Sequence, residues 1–168
     1  MTLKKHNYNR VTRFREARVW LKEVEKIYAQ FLKGYYPVIH LFCGKSSLGD
    51  VRFDCENFSN VTHRLEIKPT KSYKLPFDDK SFDACILELS WINPYFAWTA
   101  REIPRITKRR IIVAITGIYW WKPREKRWKL SKLDVLIRLS EQIPSLVKLV
   151  LVYDYMNKTF EEGDSDGN

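Results

Sequence analysis

The sequence predicts an α/β protein built on a Rossmann-like, doubly wound, mostly parallel sheet with flanking helices. Three observations carry that expectation. Short apolar runs bounded by Gly, Pro, Asn or Asp recur along the chain and read as buried strands. Between some of them, apolar residues three and four apart mark amphipathic helices. Strands that alternate with helices imply a parallel sheet covered on both faces.

The elements follow in order. Over residues 11–33, Phe14, Ala17, Trp20, Leu21, Val24, Ile27, Tyr28 and Phe31 fall on one helical stripe, and Gly34 stands where a C-cap belongs. Arg15, Arg18, Lys22 and Lys26 line another face, either solvated or turned to phosphate. Residues 38–42 and 51–53 read as strands, and 61–67 alternates as a third. A fourth strand covers 84–89. Asn93-Pro94 reads as a helix start, with Pro104 expected to kink or end that helix near residue 103. A fully apolar strand follows at 111–115. Ser131, with Asp134 three residues on, predicts another helix ending before Pro144. The last strand is 147–153. Residues 1–160 read as one domain, and the acidic tail 161–168 as disordered.

The chain has 168 residues, a length suited to a single core. Lys and Arg number 30 against 20 Asp and Glu, a net charge of +10, with a pI near 9.5. Such an excess favours a polyanionic partner, nucleic acid above all. Cys43, Cys55 and Cys85 are odd in number and lack the clustered spacing of a zinc site. They suggest a reducing, cytoplasmic setting, with no disulfide framework and no bound metal. No apolar run reaches 18 residues, so no membrane span is expected. Gln occurs only twice beside plentiful Lys, Arg and Glu, a composition that leans toward a thermophile.

In a sheet of this kind the ligand sits beyond the carboxyl ends of the strands. Two segments stand there. VIHLFCGKSSLGD, residues 38–50, runs from a strand into a turn containing Gly44 and Gly49, where glycine lets backbone approach a ligand. LPFDDKSFDACILELSW, residues 75–91, joins an acidic turn to a strand that ends at Glu88. In this order the segments resemble the class I S-adenosylmethionine-dependent methyltransferases, over about residues 38–120. The Leu-Pro-Phe-x-Asp-x-Ser-Phe-Asp pattern is matched at Leu75, Pro76, Phe77, Asp79, Ser81, Phe82 and Asp83.

The resemblance implies S-adenosylmethionine as cofactor. Phe42, Cys43, Gly44, Gly49 and Asp50 would then surround its methionine end, and Asp54 would bind the ribose hydroxyls. Ser72 and Leu75 would stand beside the adenine. Glu88 and Trp91 would orient and stack on a target at the end of the fourth strand. This sequence departs from the family at three places. His40 replaces an acid, and Glu88-Leu89-Ser90-Trp91 replaces Asp/Asn-Pro-Pro-Tyr/Trp. Only eight residues separate Phe42 from Val51, too few for a helical crossover. A bare loop would have to serve, with the first helix covering that face.

Residues 101–132 are dense in Arg and Lys, with Tyr119, Trp120, Trp121 and Trp128 interleaved. Lys122, Arg124, Lys126 and Arg127 are expected to overhang the crevice and bind nucleic acid. The tryptophans either stack on bases or pack as core. Two other functions remain open. One is a nucleic-acid-binding module on a degenerate methyltransferase fold. The other is a Mg²⁺-dependent nuclease using Asp54, Glu66 and Lys68. Gly44-Lys45-Ser46 is no phosphate loop, because Ile39 stands where its first glycine is required.

Overall fold

The computed structural model describes residues 22–55, 58–64, 70, 72–89, 96–116, 121–138 and 146–156. Several expected features lie outside these residues: 11–21 of the first helix, 65–67 of the third strand, the Asn93-Pro94 helix start and the tail.

Seven strands form one mixed sheet. They are β1 (Val38–Leu41), β2 (Val51–Asp54), β3 (His63–Arg64), β4 (Phe82–Leu89), β5 (Thr107–Thr116), β6 (Trp128–Arg138) and β7 (Leu146–Tyr155). Their order is β3-β2-β1-β4-β5-β7-β6. The first five pair in parallel, and β7 lies antiparallel between β5 and β6. The chain therefore builds the sheet outward from β1 in one direction, then returns to the other side of β1 with β4.

Two helices are described, α1 (Lys22–Leu32) and α2 (Phe96–Ile106). Side-chain alternation along the strands assigns one helix to each face. On the α1 face Tyr28 belongs to one buried cluster with Val38, Ala84, Ile86, Ile112, Ala114, Val150 and Val152. On the α2 face Trp98, Ile103 and Ile106 meet Leu41, Cys85, Leu87, Leu89, Ile111, Val113 and Ile115. β4 and β5 are buried on both sides, and each fully buried Ile, Leu or Val contributes about 1.5–3 kcal/mol relative to exposure. Residues 42–50 connect β1 to β2 without a helix, and Leu48 of that loop packs beneath α1.

Gly49 makes the short connection possible. Its φ is +90°, and a Cβ there would stand 3.2 Å from the His40 Cβ and 3.3 Å from the Val38 carbonyl oxygen. Any larger residue would face both backbone strain and crowding.

Two expectations are overturned. Residues 131–138 are not helical; they belong to β6. The register of β6 on β7 shifts between Leu130 and Lys132. This irregularity places Leu130 opposite Tyr153 and Leu133 opposite Leu151, so residues three apart share a face. Asp134 pairs with Lys132 at 3.5 Å instead of capping a helix.

The helix at 96–106 also runs through Pro104. Proline cannot donate to the carbonyl four residues earlier. Here the Arg124 amide donates to that carbonyl, Ala100 O, at 2.8 Å. Past the proline, the Lys80 amide donates to Arg105 O and Lys80 Nζ to Pro104 O, which satisfies the last turn.

Candidate functional site

The strand order reverses between β1 and β4, and in open α/β sheets the ligand crevice lies at such a point, beyond the carboxyl ends. Leu41 is opposite Phe53 on one side and Leu87 on the other. One residue further on, Asp54 of β2 and Glu88 of β4 therefore stand on either side of Phe42, the first residue past β1.

The backbone turns sharply here. Phe42 has φ +56° and Gly44 φ +55°. For phenylalanine that conformation is strained and needs support from its surroundings. The support is visible. The Cys43 amide donates to Phe53 O at 3.3 Å, and the Gly44 amide donates to Asp54 Oδ2 at 2.8 Å. Asn60, from the loop after β2, donates to Gly44 O at 3.1 Å and also to Ser46 O. Glu25 of α1 accepts from the Ser46 hydroxyl at 2.7 Å and the Ser47 amide at 3.2 Å. Asp54 is 1% exposed, so its carboxylate is part of the wall that fixes the turn.

Glu88 points to the α1 face, where the Tyr28 hydroxyl donates to its Oε1 at 3.1 Å. Burial, then the nearby carboxylate charge, then that hydrogen bond push the Tyr28 phenol well above its ordinary range. It stays a neutral donor. Burial, followed by the charge of Asp54, pushes the Cys43 thiol up to about 12. Burial alone raises the Cys85 thiol, whereas Cys55 is exposed. Iodoacetamide at mildly alkaline pH should therefore alkylate Cys55 in the native protein and reach Cys43 and Cys85 only after denaturation. Mass spectrometry reads this directly; equal native rates at Cys43 and Cys55 would show the turn to be open.

The carboxyl ends of β1, β2 and β4 gather Phe42, Cys43, Gly44, Asp54 and Glu88. They do not gather Gly49 and Asp50. Asp50 Oδ2 accepts the Val38 amide at 2.7 Å, which puts this pair at the amino end of β1, opposite the crevice. The reason is geometric: β2 is parallel to β1, so the loop must travel back before β2 begins. Trp91, Glu66 and Lys68 lie outside the described residues.

Ser72 is exposed, and its hydroxyl lies 3.4 Å from that of Thr70. Leu75 is buried on the α2 face, its amide donated to Glu102 Oε1 at 2.7 Å. The Leu-Pro-Phe segment is thus held by a clamp. Arg105 binds Glu102 and donates to Leu75 O, Phe77 O and Asp79 Oδ1. Arg105 belongs to the basic stretch, yet it serves the interior.

The basic segment is also placed differently from the expectation. Trp121 is 1% exposed and donates to Thr99 Oγ1 at 3.0 Å, and Arg124 lies against Ala100. Arg127 donates to the Tyr155 hydroxyl at 2.9 Å, beside the start of β5. Lys122, Arg124, Lys126 and Arg127 are exposed, but they descend along α2 toward the amino ends instead of overhanging the crevice. Trp121 and Trp128 are core.

Sequence reading passed over Tyr28, Glu25 and Asn60. Tyr28 sits in an apolar stripe, and its partner is 60 residues away, so no local pattern marks its hydroxyl. No helix among the described residues is long and apolar enough to cross a membrane. The chain matches no protein-family model, no curated protein and no solved structure.

Proposed function

We propose that this chain is an S-adenosylmethionine-dependent methyltransferase of Rossmann-like, doubly wound type that acts on nucleic acid in the cytoplasm. One observation carries the reading. A left-handed turn at Phe42–Gly44 stands at the reversal of strand order, with Asp54 and Glu88 on either side. The run β3-β2-β1-β4-β5 follows the order of dinucleotide-binding sheets, whose ligand sits at this point. The resemblance of residues 38–50 and 75–91 supplies the cofactor class.

The residues present fit such a group. Gly44 has no side chain to keep a ligand from the backbone, and Asp54, buried at the end of β2 with Oδ2 on the Gly44 amide, would hold the turn on which a ribose would lie. The bound cofactor would supply a methyl group on a sulfonium sulfur. The chain's task is then to align a nucleophile with that methyl and to exclude water, which needs positioning more than a strong base. Glu88, fixed by Tyr28, would accept a hydrogen bond from the target amine and orient its lone pair.

Calorimetric titration with S-adenosylmethionine and S-adenosylhomocysteine tests this. The wild type should bind at micromolar concentrations. Asp54→Ala frees the Gly44 amide and loosens the turn on which a ribose would lie, so it should weaken binding at least about tenfold, or 1.4 kcal/mol. No binding by the folded wild type would remove the methyl-transfer reading.

A second reading, a nucleic-acid-binding module without methyl transfer, is favoured by one feature. The turn's polar groups are already engaged by Asp54, Asn60 and Glu25. Under that reading neither cofactor form binds, while oligonucleotides still do.

A further inference from the structure

The rim opposite the crevice carries a ladder of alternating cations and aromatic rings. Two guanidinium groups lie over the Tyr35 ring, Arg109 at 4.6 Å and Arg110 at 4.7 Å from its centroid. Arg110 donates to Phe31 O at 2.9 Å, and Lys132 Nζ stands 4.4 Å from the centroid of the Phe31 ring. The chain's turns bring these groups together. α1 ends at the amino end of β1, which is also the end where β5 and β6 begin. Beside the ladder, Tyr36 is 75% exposed, an unusual position for a large ring.

Four cations at this rim face three carboxylates. Asp83 is shared by Lys108 at 3.8 Å and Arg109 at 3.3 Å, Asp154 is held by Arg110, and Asp134 pairs with Lys132 at 3.5 Å. The side chains of Lys108, Arg109 and Lys132 are 47%, 56% and 53% exposed. The cation ends of these pairs are open to solvent and the pairs are worth little, so a phosphate can share the cations with Asp83 and Asp134 at small loss. Arg110, bidentate on Asp154 and less exposed, is the fixed rung that holds Tyr35 in place.

We infer that this rim binds a single strand of nucleic acid, with phosphates on Lys108, Arg109 and Lys132 and a base stacked on Tyr36. Cations interleaved with aromatic faces are the physical requirement for binding single strands without sequence preference. A lipid surface would use the cations but gains nothing from rings already flanked by guanidinium groups. The inference rests on the nucleic-acid part of the proposed function and not on methyl transfer. The surface lies on the opposite end of the sheet from the crevice, so it anchors a strand and does not present the reacting base.

The test is fluorescence anisotropy with a labelled oligothymidine or oligouridine of about fifteen nucleotides in about 0.1 M salt. Arg109→Glu with Lys132→Glu should weaken binding at least about tenfold and reduce the salt slope by about two. Lys122→Glu with Arg124→Glu makes the same change in net charge at another place and should alter affinity less than about twofold. Tyr36→Ala, an exposed substitution that leaves the core intact, should weaken single-strand binding about three- to tenfold, within the range of one lost stack. Equal losses in the two charge-reversed pairs would overturn the inference, because diffuse charge would then explain binding. So would an unchanged Tyr36→Ala. If the Arg109/Lys132 variant fails to fold, Arg109→Gln and Tyr36→Ala decide the matter by the same criteria. Binding to anionic phosphatidylserine vesicles through these residues, with no oligonucleotide binding, would assign the rim to a membrane instead. Titrating the same variants with S-adenosylmethionine separates the two proposals. Loss of oligonucleotide binding with cofactor binding kept sinks only the rim, and the converse sinks only methyl transfer.

Discussion

Arg105→Met should destabilise the protein by about 3–5 kcal/mol, the loss expected when one partner of a buried ion pair is stranded. Glu102 is 1% exposed, and Arg105 closes on it at 2.5 Å. The hydrogen bond that Arg105 donates to Glu102 comes first among the causes that raise its guanidinium, which stays charged throughout. Its fork also collects Leu75 O, Phe77 O and Asp79, so one side chain fastens α2 to the segment ahead of β4. Asp79 contributes less, because it lies in solvent. In the variant, the Glu102 carboxylate keeps the Leu75 amide but has no counter-ion. Its buried charge is then uncompensated. At this chain length the melting temperature should fall by about ten degrees. Urea denaturation of Arg105→Met, Glu102→Gln and the double variant is the decisive set. The double variant should be less harmful than the sum of the singles, as befits one shared interaction. A loss below about 1 kcal/mol in Arg105→Met would mean that packing alone holds the segment.

Trp121→Ala should be nearly as damaging, at about 3–5 kcal/mol, the usual range for truncating a buried aromatic. The ring packs edge-on to Tyr153 with centroids 5.7 Å apart. Its nitrogen donates to Thr99, and its carbonyl accepts the Tyr153 hydroxyl at 2.6 Å. The substitution therefore opens a cavity between α2 and β7 and loosens the stretch that supplies the Arg124 amide to Ala100. Trp121→Phe keeps most of the volume and should lose clearly less. Below the lowered melting temperature, oligonucleotide affinity should be unchanged. A small stability loss with a large affinity loss would make this indole a stacking surface and not a core residue.

Much of the sheet is legible in the sequence because burial on both faces writes itself as unbroken apolar runs. The central strands are of this kind, and so is the last. The errors have specific physical origins. Ser131 and Asp134 match a capping-box spacing, but they lie in edge strand β6, where the Ser131 hydroxyl donates to Val152 O and Asp134 pairs with Lys132. Pro104 ends most helices, but the Arg124 amide, 24 residues away from Ala100, takes over the missing donation. At the candidate site, the turn residues and the two flanking carboxylates can be read from strand ends. Their supports cannot, because Glu25, Tyr28 and Asn60 reach the turn from other elements. Gly49 and Asp50 are adjacent in sequence to the turn, yet a parallel return carries them to the far end of β1. Basic residues were legible as charge, while their place on the surface depends on how the chain after β5 folds back along α2.

The margin formed by β3 has a consequence for motion. Among the described residues β3 comprises His63–Arg64, both exposed, whereas β4 and β5 are sealed on two sides. Local opening free energy must therefore rise steeply from β3 across β2 and β1 to β4. The candidate site straddles that gradient, with Glu88 on the rigid side and Asp54 on the yielding side. In amide hydrogen exchange, β4 and β5 would exchange only through global unfolding, and β2 through fraying of the edge. Anything that bridges the two carboxylates would slow exchange chiefly in β2, so occupancy of the crevice would be readable in the protection of a strand four residues long.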